Sequence, residues 1–134
     1  MPGYLLDCNH LSAALRKLSP VRERIHEERK AGRRLITCYP VLCELQAGIR
    51  QTSKPDQNQQ RLTQLLRQLR VWPLDGDTTR HYGAIYLELR RTGRALSQVD
   101  MMLAALARQH KLTVLTTDRD FQALVDLRTE NWVG

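Results

Sequence analysis

Four acidic residues border apolar segments that should lie inside the protein. They are Asp7 after Leu5-Leu6, Glu44 after Val41-Leu42, Asp100 before Met101-Met102-Leu103, and Asp118 after Val114-Leu115. Carboxylates crowded into a partly buried site repel one another, and a divalent cation removes that cost. Hard oxygen ligands without histidine or thiolate nearby select Mg²⁺ or Mn²⁺ over zinc. Such a site has the chemistry to hydrolyse phosphodiester bonds.

Each acid also has an ordinary explanation when it is taken alone. Asp7 and Asp118 could cap the helices that follow them. Glu44 could be a favourable charge near the start of its helix. The segment Ser97-Gln-Val-Asp100 could be a capping box. The hypothesis of a site therefore depends on the four acids meeting at one place.

The hydrophobic pattern predicts short strands that alternate with longer helices. The predicted strands are residues 3–7, 34–37, 71–74 and 112–117, with a final edge strand within 127–132. The predicted helices are residues 9–17, 20–32, 40–50, 61–70, 75–92 and 97–110, with one more short helix after Asp118. The polar stretch 51–60 is predicted to be a loop. This alternation indicates a parallel sheet covered by helices on both faces.

The predicted sheet would bring the four acids together. Ligands of such sheets collect beyond the carboxyl ends of the strands. Asp7 and Asp118 come at that end of their strands. Glu44 and Asp100 lie in the first turns of helices, and a helix that follows a strand begins at the same edge.

Charge points to a nucleic-acid partner. The 134 residues suit one domain, residues 1–134, with 21 Lys plus Arg against 14 Asp plus Glu, a net charge of +7 and a pI near 9.8. A basic surface attracts phosphate backbones without regard to base sequence. The net charge does not distinguish RNA from DNA.

Other classes of protein fit less well. Three cysteines without a C-x-x-C pair and four scattered histidines argue against a disulfide framework or a zinc site. No apolar run is long enough to cross a bilayer, and no signal-like segment opens the sequence. We therefore expect a cytoplasmic protein with no membrane partner.

Four segments resemble the motifs of PIN domains, in the family's order. Residues 4–12, Tyr-Leu-Leu-Asp-Cys-Asn-His-Leu-Ser, resemble the opening strand and the Asp-x-Asn turn. Residues 41–49, 97–107 and 115–121 resemble the second, third and fourth acidic motifs, and residues 127–132 resemble the last strand. The resemblance covers nearly the whole chain.

The resemblance implies a three-layer α/β/α sandwich with a short central parallel sheet. It also implies a Mg²⁺- or Mn²⁺-dependent endoribonuclease whose catalytic and metal-binding acids are Asp7, Glu44, Asp100 and Asp118. Asp7 and Asp100 would be the main direct ligands. Supporting roles would fall to Asn9, Thr116 and Asp120. Cys8 departs from the threonine that is common at this position, and so could remove one supporting hydroxyl.

Within the family, the chain resembles VapC-type toxins of type II toxin–antitoxin systems. This resemblance implies an RNA substrate, inhibition by a cognate antitoxin protein, and a homodimer. Candidate RNA contacts near the acids are Arg90, Arg91, Arg94 and Arg119, although each could equally be part of a solvated helix face.

Two other functions were weighed against the nuclease. One is a non-catalytic RNA-binding PIN-like module, which the presence of all four acids disfavours. The other is a phosphate-accepting regulator in which Asp7 takes the phosphoryl group. Such regulators place a lysine after a late strand, whereas Lys111 precedes it here.

Overall fold

One parallel sheet forms the scaffold. A computed structural model describes residues 3–16 and 18–134, and within them five strands pair in the order β3-β2-β1-β4-β5. The strands are β1 (Gly3–Leu6), β2 (Arg34–Cys38), β3 (Arg70–Trp72), β4 (Thr113–Leu115) and β5 (Arg128–Glu130). All neighbouring strands run parallel. Their carboxyl ends therefore share one edge of the sheet.

Helices flank this sheet. They are α1 (Cys8–Ala14), α2 (Pro20–Lys30), α3 (Tyr39–Arg50), α4 (Pro55–Leu66), α5 (Gly76–Thr92) and α6 (Gln98–His110), followed by a short 3₁₀ helix (Arg119–Ala123). This arrangement confirms the predicted α/β/α sandwich with its short parallel sheet.

The core explains why β1 occupies the centre of the sheet. All four residues of β1 are buried, and Leu5 and Leu6 are fully so. Strands covered on both faces are apolar throughout rather than alternating. β2 and β4 continue this layer with Ile36 and Val114, which are also fully buried. The apolar sides of α3, α4 and α6 close over it.

Two predicted boundaries around α4 were wrong. Residues 55–60 are helical and not part of a loop, because Pro55 occupies the first helical turn, where a missing N–H costs nothing. The helix then ends at Leu66 rather than at residue 70. Leu69 is still buried, but Arg70 already belongs to β3. The leucine spacing predicted a longer helix because Leu69 is buried, although it lies beyond the end of α4.

Other boundaries differ by a few residues. The first predicted helix, 9–17, begins at Cys8 and ends at Ala14, and its last predicted residue, Lys17, lies outside the described residues. β4 is shorter than predicted, and the last helix is of the 3₁₀ type. The final edge strand is present as β5. Across the described ranges, each helix is too short or too polar to span a membrane.

Removing buried volume at the centre of the sheet should destabilise the protein. We expect Leu5→Ala to lower the free energy of unfolding by about 3 kcal/mol, because it leaves a cavity between packed layers. The matched control is Leu18→Ala, whose leucine is 92% exposed, with an expected change within about 0.5 kcal/mol. Urea unfolding measures both, and equal losses would contradict a core centred on β1.

Candidate metal centre

Asp7 is fixed at the carboxyl end of the central strand. Its backbone N–H donates to the carbonyl of Leu115 at 3.1 Å, which ties it to the end of β4. Its side chain caps α1 by accepting from the N–H of His10 at 2.8 Å. The side chain of Thr37 donates to the carbonyl of Leu6, the residue just before Asp7. Asp7 is only 4% exposed, so this carboxylate has little freedom to move.

His10 orients the Asp7 carboxylate and links it to the end of the chain. Its Nε2 accepts from the backbone N–H of Trp132 at 3.0 Å, so this nitrogen carries no proton. Nδ1 therefore carries the proton and donates to Asp7 Oδ1 at 3.1 Å. The ring is fully buried. Two hydrogen bonds thus fix both the tautomer and the position of the imidazole.

Asp118 is presented by a turn just beyond β4. The backbone N–H of Asp118 donates to the buried Thr116 hydroxyl at 3.0 Å. The carboxylate in turn accepts from the N–H of Asp120 at 2.8 Å, capping the 3₁₀ helix. The turn also pairs with β5, through the N–H of Thr116 and the carbonyl of Glu130. Asp118 can therefore cap a helix and also belong to the acidic site, because the capping bond fixes where its carboxylate lies.

Asp100 lies where burial and the other three acids disfavour a negative charge. Ser97 caps α6 by accepting from the N–H of Asp100 at 3.1 Å. Burial, followed by the negative charges of Asp7, Glu44 and Asp118, raises the pKa of Asp100 to about 6, although a hydrogen bond with Ser97 opposes the shift. The four predicted acids are thus brought within electrostatic reach of one another.

Glu44 lies on α3, and its carboxylate is next to the thiol of Cys8. Burial, and then the carboxylates of Glu44, Asp7 and Asp100, raise the pKa of the Cys8 thiol to about 12. In the metal-free protein the Cys8 thiol therefore stays protonated at neutral pH. Glu44 itself is exposed and lines a groove of about 340 Å³ together with Cys8 and Asn9.

The donor set fits a hard divalent cation, although the ligands are not drawn together around a point. Within residues 3–16 and 18–134, no three histidine, cysteine or acidic side chains form a complete metal-ligand set. The nearby donors are carboxylates, and burial followed by the charges of the other three acids raises the pKa of Asp100. A cation drawing these carboxylates inward would relieve the repulsion between them.

Of the predicted supporting residues, Thr116 and Asp120 bond directly to Asp118, whereas Asn9 contacts the turn that carries it. The side-chain amide of Asn9 donates to the hydroxyl of Thr117 at 3.3 Å, which joins α1 to the turn after β4. Asp120 forms an ion pair with Arg94 at 2.8 Å. Arg94 is one of the arginines predicted to contact RNA, and here its charge is paired with that of Asp120.

The other three candidate RNA contacts remain on the surface. Arg90 donates to the hydroxyl of Tyr86 at 3.1 Å. Arg91 is exposed in the last turn of α5. Arg119 is exposed next to Asp118 and lines a small pocket with it.

Sequence reasoning missed His10, which counted only among the four scattered histidines that argue against a zinc site. The available signal was its position three residues after Asp7, since that spacing places a side chain beside the residue that caps a helix. Its second partner is separated from it by 122 residues. No local pattern could reveal that contact.

The raised pKa of Asp100 leads to a pH-dependent stability of the metal-free protein. An acid whose pKa rises on folding contributes stability below its ordinary pKa of 3.8 and loses it as the pH passes about 6. Two pKa units correspond to roughly 3 kcal/mol, and solvent at this partly exposed carboxyl reduces the expected effect to about 1 kcal/mol. With EDTA present, we expect Asp100→Asn to be more stable than the parent by that amount at pH 7.5, with no gain at pH 4.

Thermal unfolding at the two pH values measures this difference. Asp77→Asn is the matched control, because this exposed carboxylate on α5 lies outside the cluster and pairs with Arg80. A gain in Asp100→Asn that is the same at both pH values would contradict a raised pKa of Asp100.

The comparisons with known proteins agree with this geometry. The family model described as the PIN domain matches residues 4–127. The tRNA(fMet)-specific endonuclease VapC of Shigella flexneri is 31% identical over 134 residues, covering 98% of this chain and 99% of that protein. Ribonuclease VapC2 of Haemophilus influenzae is 28% identical over 134 residues, covering 99% of this chain and all of the relative.

A solved structure extends the likeness to three dimensions. The crystal structure of VapBC2 from Rickettsia felis, bound to a DNA fragment from their promoter, matches with a TM-score of 0.88. It is 27% identical and the match covers 97% of this chain and 98% of that one. The predicted family is thereby confirmed: the chain belongs to the PIN-domain family and, within it, to the VapC-type ribonucleases.

Proposed function

We propose that residues 1–134 act as one domain, a Mg²⁺- or Mn²⁺-dependent endoribonuclease that is the toxin of a toxin–antitoxin pair. The observation that carries this proposal is the placement of Asp7, Glu44 and Asp118 close enough to the partly buried Asp100 to add to the effect of burial on its pKa. The relatives named as VapC ribonucleases support an RNA substrate.

The four acids would hold the cation, with Asp7 and Asp100 as the main ligands. A divalent cation in such a site lowers the pKa of an attacking water and stabilises the charge that develops on the phosphate. Hydrogen bonds of the chain position three of the four acids. His10 and the start of α1 hold Asp7, Ser97 holds Asp100, and the Thr116 turn holds Asp118.

The groove beside Glu44 gives the RNA a path to the site. It runs between α1, α3 and α4, with Cys8 and Asn9 at the end next to the acids. Arg16 and Arg61 also line it, and guanidinium groups bind phosphates along a strand. Arg119, next to Asp118, would contact the RNA on the other side of the cleaved bond.

The antitoxin and the homodimer are further parts of the proposal. The Rickettsia felis structure is a VapBC2 assembly, which supports a protein partner of the VapB kind here. Tyr86 and Leu87, on α5, are 49% and 44% exposed, so α5 offers apolar surface for a second copy of the chain.

Replacing Asp7 should abolish cleavage without unfolding the protein. We expect Asp7→Asn to cut RNA at least about a hundredfold more slowly, because the best-oriented carboxylate becomes neutral. The measurement is cleavage of a panel of structured RNAs, initiator tRNA among them, and of unstructured RNAs, with Mg²⁺, Mn²⁺ or EDTA. Asp77→Asn serves as the control and should cut like the parent.

The outcomes of this experiment distinguish a nuclease from a non-catalytic RNA-binding module. Cleavage that needs metal and is lost in Asp7→Asn would support the proposal. Undiminished cleavage by a folded Asp7→Asn would refute it. A parent protein that binds RNA tightly without metal but cuts no RNA would favour the non-catalytic module.

His10 is proposed as a positioning residue, and two variants can separate its two hydrogen bonds. Asn at this position keeps an N–H where Nδ1 donates to Asp7, whereas Gln keeps an acceptor where Nε2 meets Trp132. Each variant loses one buried hydrogen bond, so we expect both to lose roughly 1–2 kcal/mol of stability. Only His10→Gln should lower kcat, by about tenfold, since it frees the Asp7 carboxylate. Equal kcat values in the two variants would reduce His10 to a structural role.

A further inference from the structure

Arginines mark the edge of the sheet opposite the acids. β2, β3 and β5 each begin with an arginine: Arg34, Arg70 and Arg128. The register aligns Arg34 with Gly3 at the start of β1, and Arg128 with Thr113 at the start of β4. β3 starts two residues further along, since Arg70 pairs with Ile36. The amino ends of the strands therefore form a row of positive charge.

Two depressions follow this row. The first, of about 350 Å³, is lined by Arg29, Arg33, Arg34, Arg67 and Arg70. The second, of about 750 Å³, contains Lys111, Arg128 and Arg108, with Asp126 as its acidic residue. Arg34 joins them, because its Nε lies 3.5 Å from where a Cβ on Gly3 would be, and Gly3 lines the second depression.

Most of these charges have no acidic partner. Arg33 pairs with Glu28, and Arg108 pairs with Glu88. Among the described residues, six others form no ion pair, and together they define the basic edge: Arg29, Arg34, Arg67, Arg70, Lys111 and Arg128. Like charges this close repel in the free protein, and a polyanion relieves that repulsion.

We propose that the basic edge binds the phosphate backbone of folded RNA, at a surface separate from the acids. The choice of RNA rests on the proposed function. Guanidinium groups match phosphate oxygens in a bidentate manner, which suits the arginine-rich first depression. An acidic protein segment would also need apolar anchors. The apolar residues that line the first depression, Leu35 and Leu69, are buried and offer none.

The distance between the acids and the basic edge determines which RNA molecules can contact both surfaces. Strands of this length separate the two edges of the sheet by about 15 Å. A short single strand bound at the acids ends before it reaches the basic edge. A folded RNA has additional backbone, which can extend around the protein to the basic edge. The basic edge would therefore select substrates by shape and size rather than by base sequence.

The test removes two exposed arginines of the basic edge and compares the result with a matched loss of charge elsewhere. The test variant is Arg67→Gln with Arg70→Gln, and the control is Arg50→Gln with Arg80→Gln, two exposed arginines that line neither depression. Both are made in an Asp7→Asn background, so that binding is measured without cleavage. Fluorescence anisotropy gives Kd for a long RNA hairpin and for a short single-stranded oligonucleotide, between about 50 and 200 mM salt.

We expect the test variant to bind the hairpin about tenfold more weakly and to lose about two units of salt slope, with the oligonucleotide unaffected. The control should bind both RNAs like the parent. The same loss in the control would attribute the effect to net charge and overturn the proposal, as would unchanged hairpin binding by a folded test variant. Loss of binding only to phosphatidylglycerol vesicles would assign the edge to a lipid surface and overturn it as well.

The proposed nuclease can fail without this surface failing. If the parent with native Asp7 cuts no RNA, but the test variant loses hairpin affinity, the basic edge stands and the nuclease does not. If the parent cuts RNA and the test variant binds the hairpin normally, the nuclease stands and the basic edge does not.

Discussion

The placing of four acids at one side of a buried sheet is the constraint on which this site depends. Four negative charges meet beyond the strand ends, where burial already disfavours the charge on Asp100. The carboxylates of Asp7 and Asp118 each accept a backbone N–H at the start of a helix, and the backbone of Asp100 donates to the Ser97 hydroxyl. Capping hydrogen bonds favour the ionised form of a carboxylate and also fix the direction in which that carboxylate points. The site thus gains its charge density from the same bonds that start its helices.

The distribution of positive charge follows a complementary logic. Residues beside the acids pair locally, as Arg94 does with Asp120. Six unpaired basic residues, those of the basic edge, lie where the strands begin and away from the acids. The net charge of +7 is therefore unevenly distributed, with a concentration of positive charge at the basic edge. Such a distribution would orient a polyanion as well as attract it.

The sequence allowed the acids to be placed because their position depends on local pattern. An acid directly after a β-branched or leucine-rich strand comes at the carboxyl edge, whatever the length of that strand. The limits of α4 were less predictable, because Leu69 is buried after its helix ends, and apolar spacing alone does not distinguish the two cases. The role of His10 was hidden for a different reason. Its partners, Asp7 and Trp132, come from opposite ends of the chain, and only the folded sheet brings them together.

The bond between His10 and Trp132 has a consequence for biosynthesis. A ribosome releases the first strand and α1 long before it makes residue 132, so the growing chain contains Asp7 without the contact that fixes His10. β5, which supports the Thr116 turn, also comes late. Contacts of such high sequence separation form last in folding. The ordered position of His10 therefore arises only after residue 132 has been synthesised, however early Asp7 leaves the ribosome.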